Sequence, residues 1–175
     1  MELEQVLALR RSTRRFTAEP VSDEALETIL RAGERAPLAA GDDKTTHLTV
    51  IGAGRTLERI RAACRLRRKN GETVDAFYGA QALIVVSAAE LSEDAIEYAN
   101  AGCVIENMHL QATALGLGSC YIWGSLRKLR ADSEALALLG LPAGYTVLSA
   151  LAVGHAAAPP EAREYREKIA VTRLS

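Results

Sequence analysis

Residues 98–117, YANAGCVIENMHLQATALGL, are enough for a helix of about five turns, and the stretch is small or apolar on nearly every side. A surface helix buries one stripe and turns a polar face to water. This one has no polar face to turn, so it must be covered all round, and the rest of the chain has to supply that cover. Glycines then break the helix, and GLGSCYIWG (116–124) reads as the entry into a strand.

The other segments alternate in type, with no linker, internal repeat or low-complexity tract. Leu3, Val6, Leu7 and Arg10 keep helical spacing. A second helix is predicted after Ser22, a suitable N-cap followed by Asp23 and Glu24 in the first turn. Leu26, Ile29, Leu30 and Gly33 mark its inner face, and Pro37 stops it. HLTVIG (47–52) is a short strand, TLERIRAACRLRRK (56–69) a basic helix with Leu57, Ile60 and Cys64 inward, and ALIVVSA (82–88) a buried strand. SLRKLRADSEALALLGLP is a short helical segment, YTVLSALAVG (145–154) the last clear strand, and the charged tail after Pro159 and Pro160 ends in a candidate strand, Ile169 to Thr172.

At 175 residues the chain suits a single domain, 1–175, able to bury roughly 70% of its unfolded surface without staples. Lys plus Arg number 21 against 22 Asp plus Glu, a net charge of −1, so no global field draws the protein to nucleic acid or to an anionic membrane. The three cysteines, Cys64, Cys103 and Cys120, form no CxxC pair and read as reduced thiols of a cytoplasmic protein. The start, MELEQ, has no signal-peptide apolar region, and no run of about 18 apolar residues suggests a membrane span.

Against this neutral background LRRSTRRF, Leu9 to Phe16, gathers Arg10, Arg11, Arg14 and Arg15 around Ser12 and Thr13. Two readings fit: a basic helix end with surface arginines, or a clamp in which planar guanidinium forks and a short hydroxyl grip phosphate or an electron-rich heterocycle edge. VIGAGRTLERI imitates a dinucleotide-binding loop, but Leu57 stands where the third glycine should be, and two helices precede the first strand. A tight strand-to-helix turn accounts for its glycines. His47, His109 and His155 fall on different elements with no ligand spacing, and there is no G-x-S-x-G elbow, so neither a metal centre nor a hydrolase is indicated.

Three blocks in order give the chain a resemblance to the FMN-dependent nitroreductase-like flavoproteins: Arg10-Arg11-Ser12-Thr13-Arg14-Arg15-Phe16 with the helix after it; Asn107 followed by ATALGLGSCYIWG; and Leu139 to Tyr145 followed by LSALAVGH. The resemblance implies an α+β fold, a mixed sheet flanked by helices, with the apolar central helix at the interface of a homodimer. It implies FMN held by Arg10, Arg11, Ser12 and Arg14, by Ala36, Pro37 and Leu38 of the neighbouring subunit, by Asn107, and by the strand end Ile122-Trp123-Gly124. In the tail, which would reach across the dimer from about residue 159, Arg166 and Lys168 are the candidates for its phosphate. Trp123 is also readable as a core aromatic.

The implied reaction is two-electron transfer from NADH or NADPH through the flavin to a small-molecule acceptor such as a nitroaromatic or quinone, in ping-pong order. The flavin carries the chemistry, so no side chain is expected as acid, base or nucleophile. Dehalogenation, dehydrogenation or flavin binding without turnover are the alternatives. The chain departs from the family after Pro37: Leu38 and Gly41 replace the usual Ser and Asn, the Gln-Pro-Trp element is absent, and Asp42 and Asp43 stand nearby. Only AELSEDAIE, 89–97, fills the place where larger relatives carry a helical lid, predicting a turn capped by Ser92 and an open flavin face.

Overall fold

The computed structural model describes residues 1–41, 44–89 and 91–174, so Asp42 and Asp43 lie outside the described residues. Helix α1 spans Leu3–Leu9 and α2 Asp23–Glu34, the latter capped by the Ser22 hydroxyl, which accepts from the Ala25 N–H at 3.3 Å. A 3₁₀ turn, Ala39–Gly41, leads to β1, Thr46–Ile51. Helix α3 covers Arg55–Ala63, β2 Leu66–Arg67, β3 Thr73–Val74 and β4 Ala82–Ala89. The central helix α4 runs Ile96–Ala114, then β5 Gly118–Ile122, α5 Leu126–Ala131, α6 Ser133–Ala137 and β6 Tyr145–Gly154.

Four strands form one sheet in the order β1-β4-β6-β5, each neighbouring pair antiparallel. The mixed character expected of the sheet rests on one parallel bridge, Ser12 to Ser119. Side chains alternate between faces along a strand, and β4 uses both. Leu83 and Val85 join Leu57, Ile60, Phe77, Leu126 and Leu129 on one face. Ile84 and Val86 join Leu26, Ile29, Val104, Ile105 and Met108 on the other. Being buried on both faces is why β4 reads as an unbroken apolar run although its partners are antiparallel.

Helix α4 is covered by α2 on one side and by the sheet on another. It ends in a Schellman motif, with the Leu117 N–H donating to the Ala112 carbonyl and the Gly116 N–H to that of Thr113, both at 2.9 Å. Cys103 and Glu106 remain exposed along it. The N-cap position of α4 is Ala95, in the left-handed region, and the turn before it is held by Ser92, whose hydroxyl accepts from the Ile96 N–H and whose own N–H donates to Glu97.

Two expected elements differ. The helix predicted over 56–69 stops at Ala63, because beyond Cys64 the pattern offers no further inward residue at helical spacing, while Asn70-Gly71 supplies a turn. Gly71 takes φ +86, the Arg68 N–H donates to the Glu72 carbonyl, and β2 and β3 pair as a small hairpin. The tail strand at Ile169–Thr172 is absent: the segment bends at Ile169 and has no regular secondary structure, with Ile169 81% and Val171 71% exposed. Apolar residues with no surface of their own chain beside them have nothing to pair with.

Candidate functional site

Residues 10–17 leave α1 as an extended strap laid on the sheet. The Thr13 N–H donates to the Ser119 carbonyl at 2.8 Å, tying the strap to the edge strand β5. Phe16 bridges Ala156, and the Thr17 N–H donates to the His155 carbonyl at 2.9 Å, tying it to the chain just past β6. The fit requires glycine beneath it. A Cβ on Gly118 would meet the Thr13 side chain at 2.8 Å, and one on Gly154 would meet the Phe16 ring at 2.8 Å. The glycine that sequence reading treats as a helix breaker is thus also a seat for the strap.

The strap delivers its cations to different partners. Arg10 Nε lies 3.4 Å from Glu106 on α4. Arg11 Nη2 donates to the Glu161 carbonyl at 2.9 Å, while its Nε is buried without a partner among the described residues. The Arg14 guanidinium lies 6.0 Å from the centre of the Tyr78 ring. A cavity of about 320 Å³ opens along the strap, lined by Arg11, Ser12, Thr13, Arg14 and Arg15 against Gly118 and the 156–160 segment. Arg15, exposed at its rim, shares a site that sequence reading gave to its neighbours.

His109 lies behind the strap and is 2% exposed. Its Nε2 stands 3.1 Å from the Arg11 carbonyl. A carbonyl can only accept, so Nε2 carries the proton and Nδ1 the lone pair. Burial holds the imidazole below its usual basicity, and the Arg10 charge pushes the same way, against the carbonyls of Arg11 and Ser119 and the Glu106 carboxylate. Neither His109 nor Glu106 was singled out from sequence as a site residue, although their i, i+3 spacing beside Asn107 put them on adjoining faces of a predicted helix.

Along β5 the chemistry changes from cationic to apolar. Trp123 follows Ser119 by four positions, about 13 Å along an extended chain. There Ile122 is buried, Trp123 is 56% exposed, and Gly124 has open space where a Cβ would project. The exposure of Trp123 rules out the core-aromatic reading. Its ring lies 6.2 Å from that of Tyr98, tilted by 39°.

A sequence model of the nitroreductase family matches residues 7–155. The chain belongs to the nitroreductase family. The NADPH-flavin oxidoreductase of Vibrio harveyi is 32% identical over 183 residues, covering 92% of this chain and 68% of that protein. Among solved structures, a Bacteroides fragilis nitroreductase with bound FMN superposes with a TM-score of 0.81 at 29% identity, covering 100% of this chain and 99% of that one. An FMN-dependent nitroreductase of Clostridium difficile gives 0.72 at 26% identity, with 91% of each chain covered.

Within this nitroreductase-family fold the remaining expected residues fall in three places. Ala36 is buried in the core, Pro37 is exposed, and Leu38 is half-buried beside the same cluster. The loop they open is held to α4 by the Ala39 N–H, which donates to the Asn100 side chain at 2.9 Å. Asn107 donates its amide to the Ala32 carbonyl at 3.1 Å, clamping α4 to α2. Arg166 and Lys168 lie in the exposed tail, which touches the strap's helix through the Arg163 N–H and the Ala8 carbonyl. Of the expected residues Arg11, Ser12 and Arg14 line the strap cavity, Arg10 turns to Glu106 and is not among its lining residues, and Ile122, Trp123 and Gly124 lie farther along β5. Arg166 and Lys168 stay outside these groups.

A second set of residues holds a loop beside the strap. Arg61 donates to Asp75 Oδ2 and to the Ala80 carbonyl, each at 2.6 Å, and Asp75 also accepts from the N–H groups of Phe77 and Gly79. Between them Tyr78 adopts φ +59, a left-handed conformation costly for a residue with a bulky side chain. The clamp holds it there, and Arg14 meets the ring.

Proposed function

We propose that this protein is an FMN-dependent oxidoreductase that passes electrons from NADH or NADPH to nitroaromatic, quinone or related small acceptors. The observation that carries the reading is the division of one strand edge into a cationic end and an exposed aromatic end, in a chain of the nitroreductase family. FMN has the same division, an anionic phosphate at one end and a planar ring at the other. Arg11 Nε, buried with no partner among the described residues, is a donor that asks for an acceptor of this kind.

FMN supplies reversible two-electron chemistry when bound. Arg10, Arg11 and Ser12 are assigned to its phosphate and ribityl end, where charge-assisted bonds provide the anchoring. Arg14, backed by Tyr78, is assigned to the pyrimidine edge, where a fixed positive charge favours the reduced form. The Trp123-Gly124 backbone, with open space over Gly124, is assigned to the ring, and Asn107 to support beneath it. No side chain here needs to give or take a proton.

The site is completed by a second copy of the chain. In a homodimer Ala36, Pro37 and Leu38 reach the partner's flavin, and the tail crosses so that Arg166 and Lys168 approach a phosphate. The whole chain, 1–175, acts as one domain in the cytoplasm. The 91–95 segment is a turn and provides no lid there, so acceptor use is broad.

Steady-state oxidation of NADH and NADPH with a panel of nitroaromatics and quinones tests the activity. Turnover with several acceptors is expected. A second reading, flavin binding without turnover or with dehalogenation or dehydrogenation chemistry, is favoured by Leu38, whose apolar side chain lacks the hydroxyl usual at that position. FMN bound without NAD(P)H oxidation would select it.

A further inference from the structure

Glu106 is shared by two groups. Its Oε1 lies 3.4 Å from Arg10 Nε and its Oε2 3.8 Å from His109 Nδ1. The first contact is an ion pair with a half-exposed carboxylate, weak and easily exchanged. The second is not yet a bond, because the Nε2 proton is fixed by the Arg11 carbonyl and Nδ1 presents a lone pair to an anion. His109 thus neighbours a carboxylate it can join only by gaining a proton.

The charged and polar groups facing the ring are few. From the end of α1 and the strap come the Arg10 guanidinium and the Arg11 carbonyl, from β5 the Ser119 carbonyl, and from α4 itself the Glu106 carboxylate. Arg10 opposes protonation and the other three favour it. An anion that takes Arg10 away from Glu106 acts twice: it neutralises the one cation that opposes His109 and frees the one carboxylate able to pair with it.

Resting on the assignment of Arg10 to the FMN phosphate, we propose that Glu106 and His109 are positioning residues that couple filling of the phosphate site to proton uptake. Arg10 exchanges Glu106 for phosphate, and His109 takes one proton from solvent at Nδ1. The imidazolium then donates from Nδ1 to Glu106 and from Nε2 to the Arg11 carbonyl, fixing the strap while Arg10 is engaged. No electrons move in this step, and the added proton balances the exchange.

The test is calorimetric titration of FMN into the flavin-free full-length chain near pH 6.5, in two buffers of different ionisation enthalpy, which gives protons exchanged per FMN bound. The phosphate itself, with a second pKa of about 6, releases protons on binding, so the informative quantity is the difference between variants. Wild type is expected to take up a few tenths of a proton more than His109→Gln, with Glu106→Gln losing most of that uptake and the difference vanishing near pH 8.5. Glu106 is half-exposed, so its variant carries the test even if His109→Gln does not fold. Equal proton counts for wild type and Glu106→Gln, with FMN bound by both, would overturn this coupling and leave the FMN assignment standing. Failure of wild type to bind FMN at all would overturn both.

Discussion

Arg10 and Arg15 are both guanidinium groups on one strap, yet they stand in different surroundings. Arg10 is partly covered and already paired with an acid on the central helix, whereas Arg15 is exposed at the cavity rim. Replacing Arg10 by Ala removes a charge-assisted partner from a partly desolvated site and is expected to weaken FMN binding by about 2 kcal/mol, roughly thirtyfold in Kd. Arg15→Ala should leave Kd within about twofold, since exposed charges are screened. Fluorescence titration with FMN separates the two, and equal losses would move the site to the cavity side of the strap. The cluster stood out in the sequence, but alone it fitted a basic helix end as well as a clamp, and only its place among the other motif blocks favoured the clamp. His109 did not stand out, since a lone histidine on an apolar helix looks the same whether or not it faces a functional strap.

At the scale of elements, the strap is the feature on which the site depends, and it is the one least visible in sequence. Its residues have neither period 2 nor period 3.6. What holds them is a backbone bond to Ser119 and close seating over glycines, and neither leaves a hydrophobic pattern. Gly118→Ala is therefore expected to force Thr13 off β5, lowering stability by about 1–3 kcal/mol as overpacking does and weakening FMN binding, although residue 118 itself has no side chain to offer the ligand. Thermal unfolding and FMN titration of the same variant check both effects. A variant as stable as wild type would show that the strap can shift without cost. The elements with a clear apolar stripe or an unbroken apolar run, α2, β4, α4 and β6, fall close to where the sequence puts them. The β2-β3 hairpin was hidden by the basic run that follows α3, where charge offers no period and the Asn-Gly turn carries the only signal.

For the whole molecule, the apolar central helix sets a demand that one chain leaves incomplete. Cys103 lies exposed on α4, and Leu3, Leu7, Ile169, Val171 and Leu174 are exposed apolar residues on α1 and the tail. Scattered exposed apolar residues are ordinary, but those of the tail have no cover from their own body. The homodimer proposed above would cover them, as obligate interfaces resemble a core cut in half. Light scattering is expected to give twice the chain mass of 18.8 kDa, and a stable monomer with full flavin occupancy would refute it. The order of helices and strands was legible because their spacing records what each buries within one chain. The path of the tail was not, because its apolar residues stay exposed on this chain and so leave no record of what they pack against.

All these expectations depend on one ligand. The direct measurement is to purify the full-length chain, release any bound chromophore by heat and identify it by chromatography against FMN, FAD and riboflavin, with added FMN titrated into any flavin-free fraction. The account predicts a yellow protein yielding FMN at about one per chain, in keeping with one phosphate clamp per strap. A colourless protein that does not take up added FMN, or one that yields FAD alone, would contradict it.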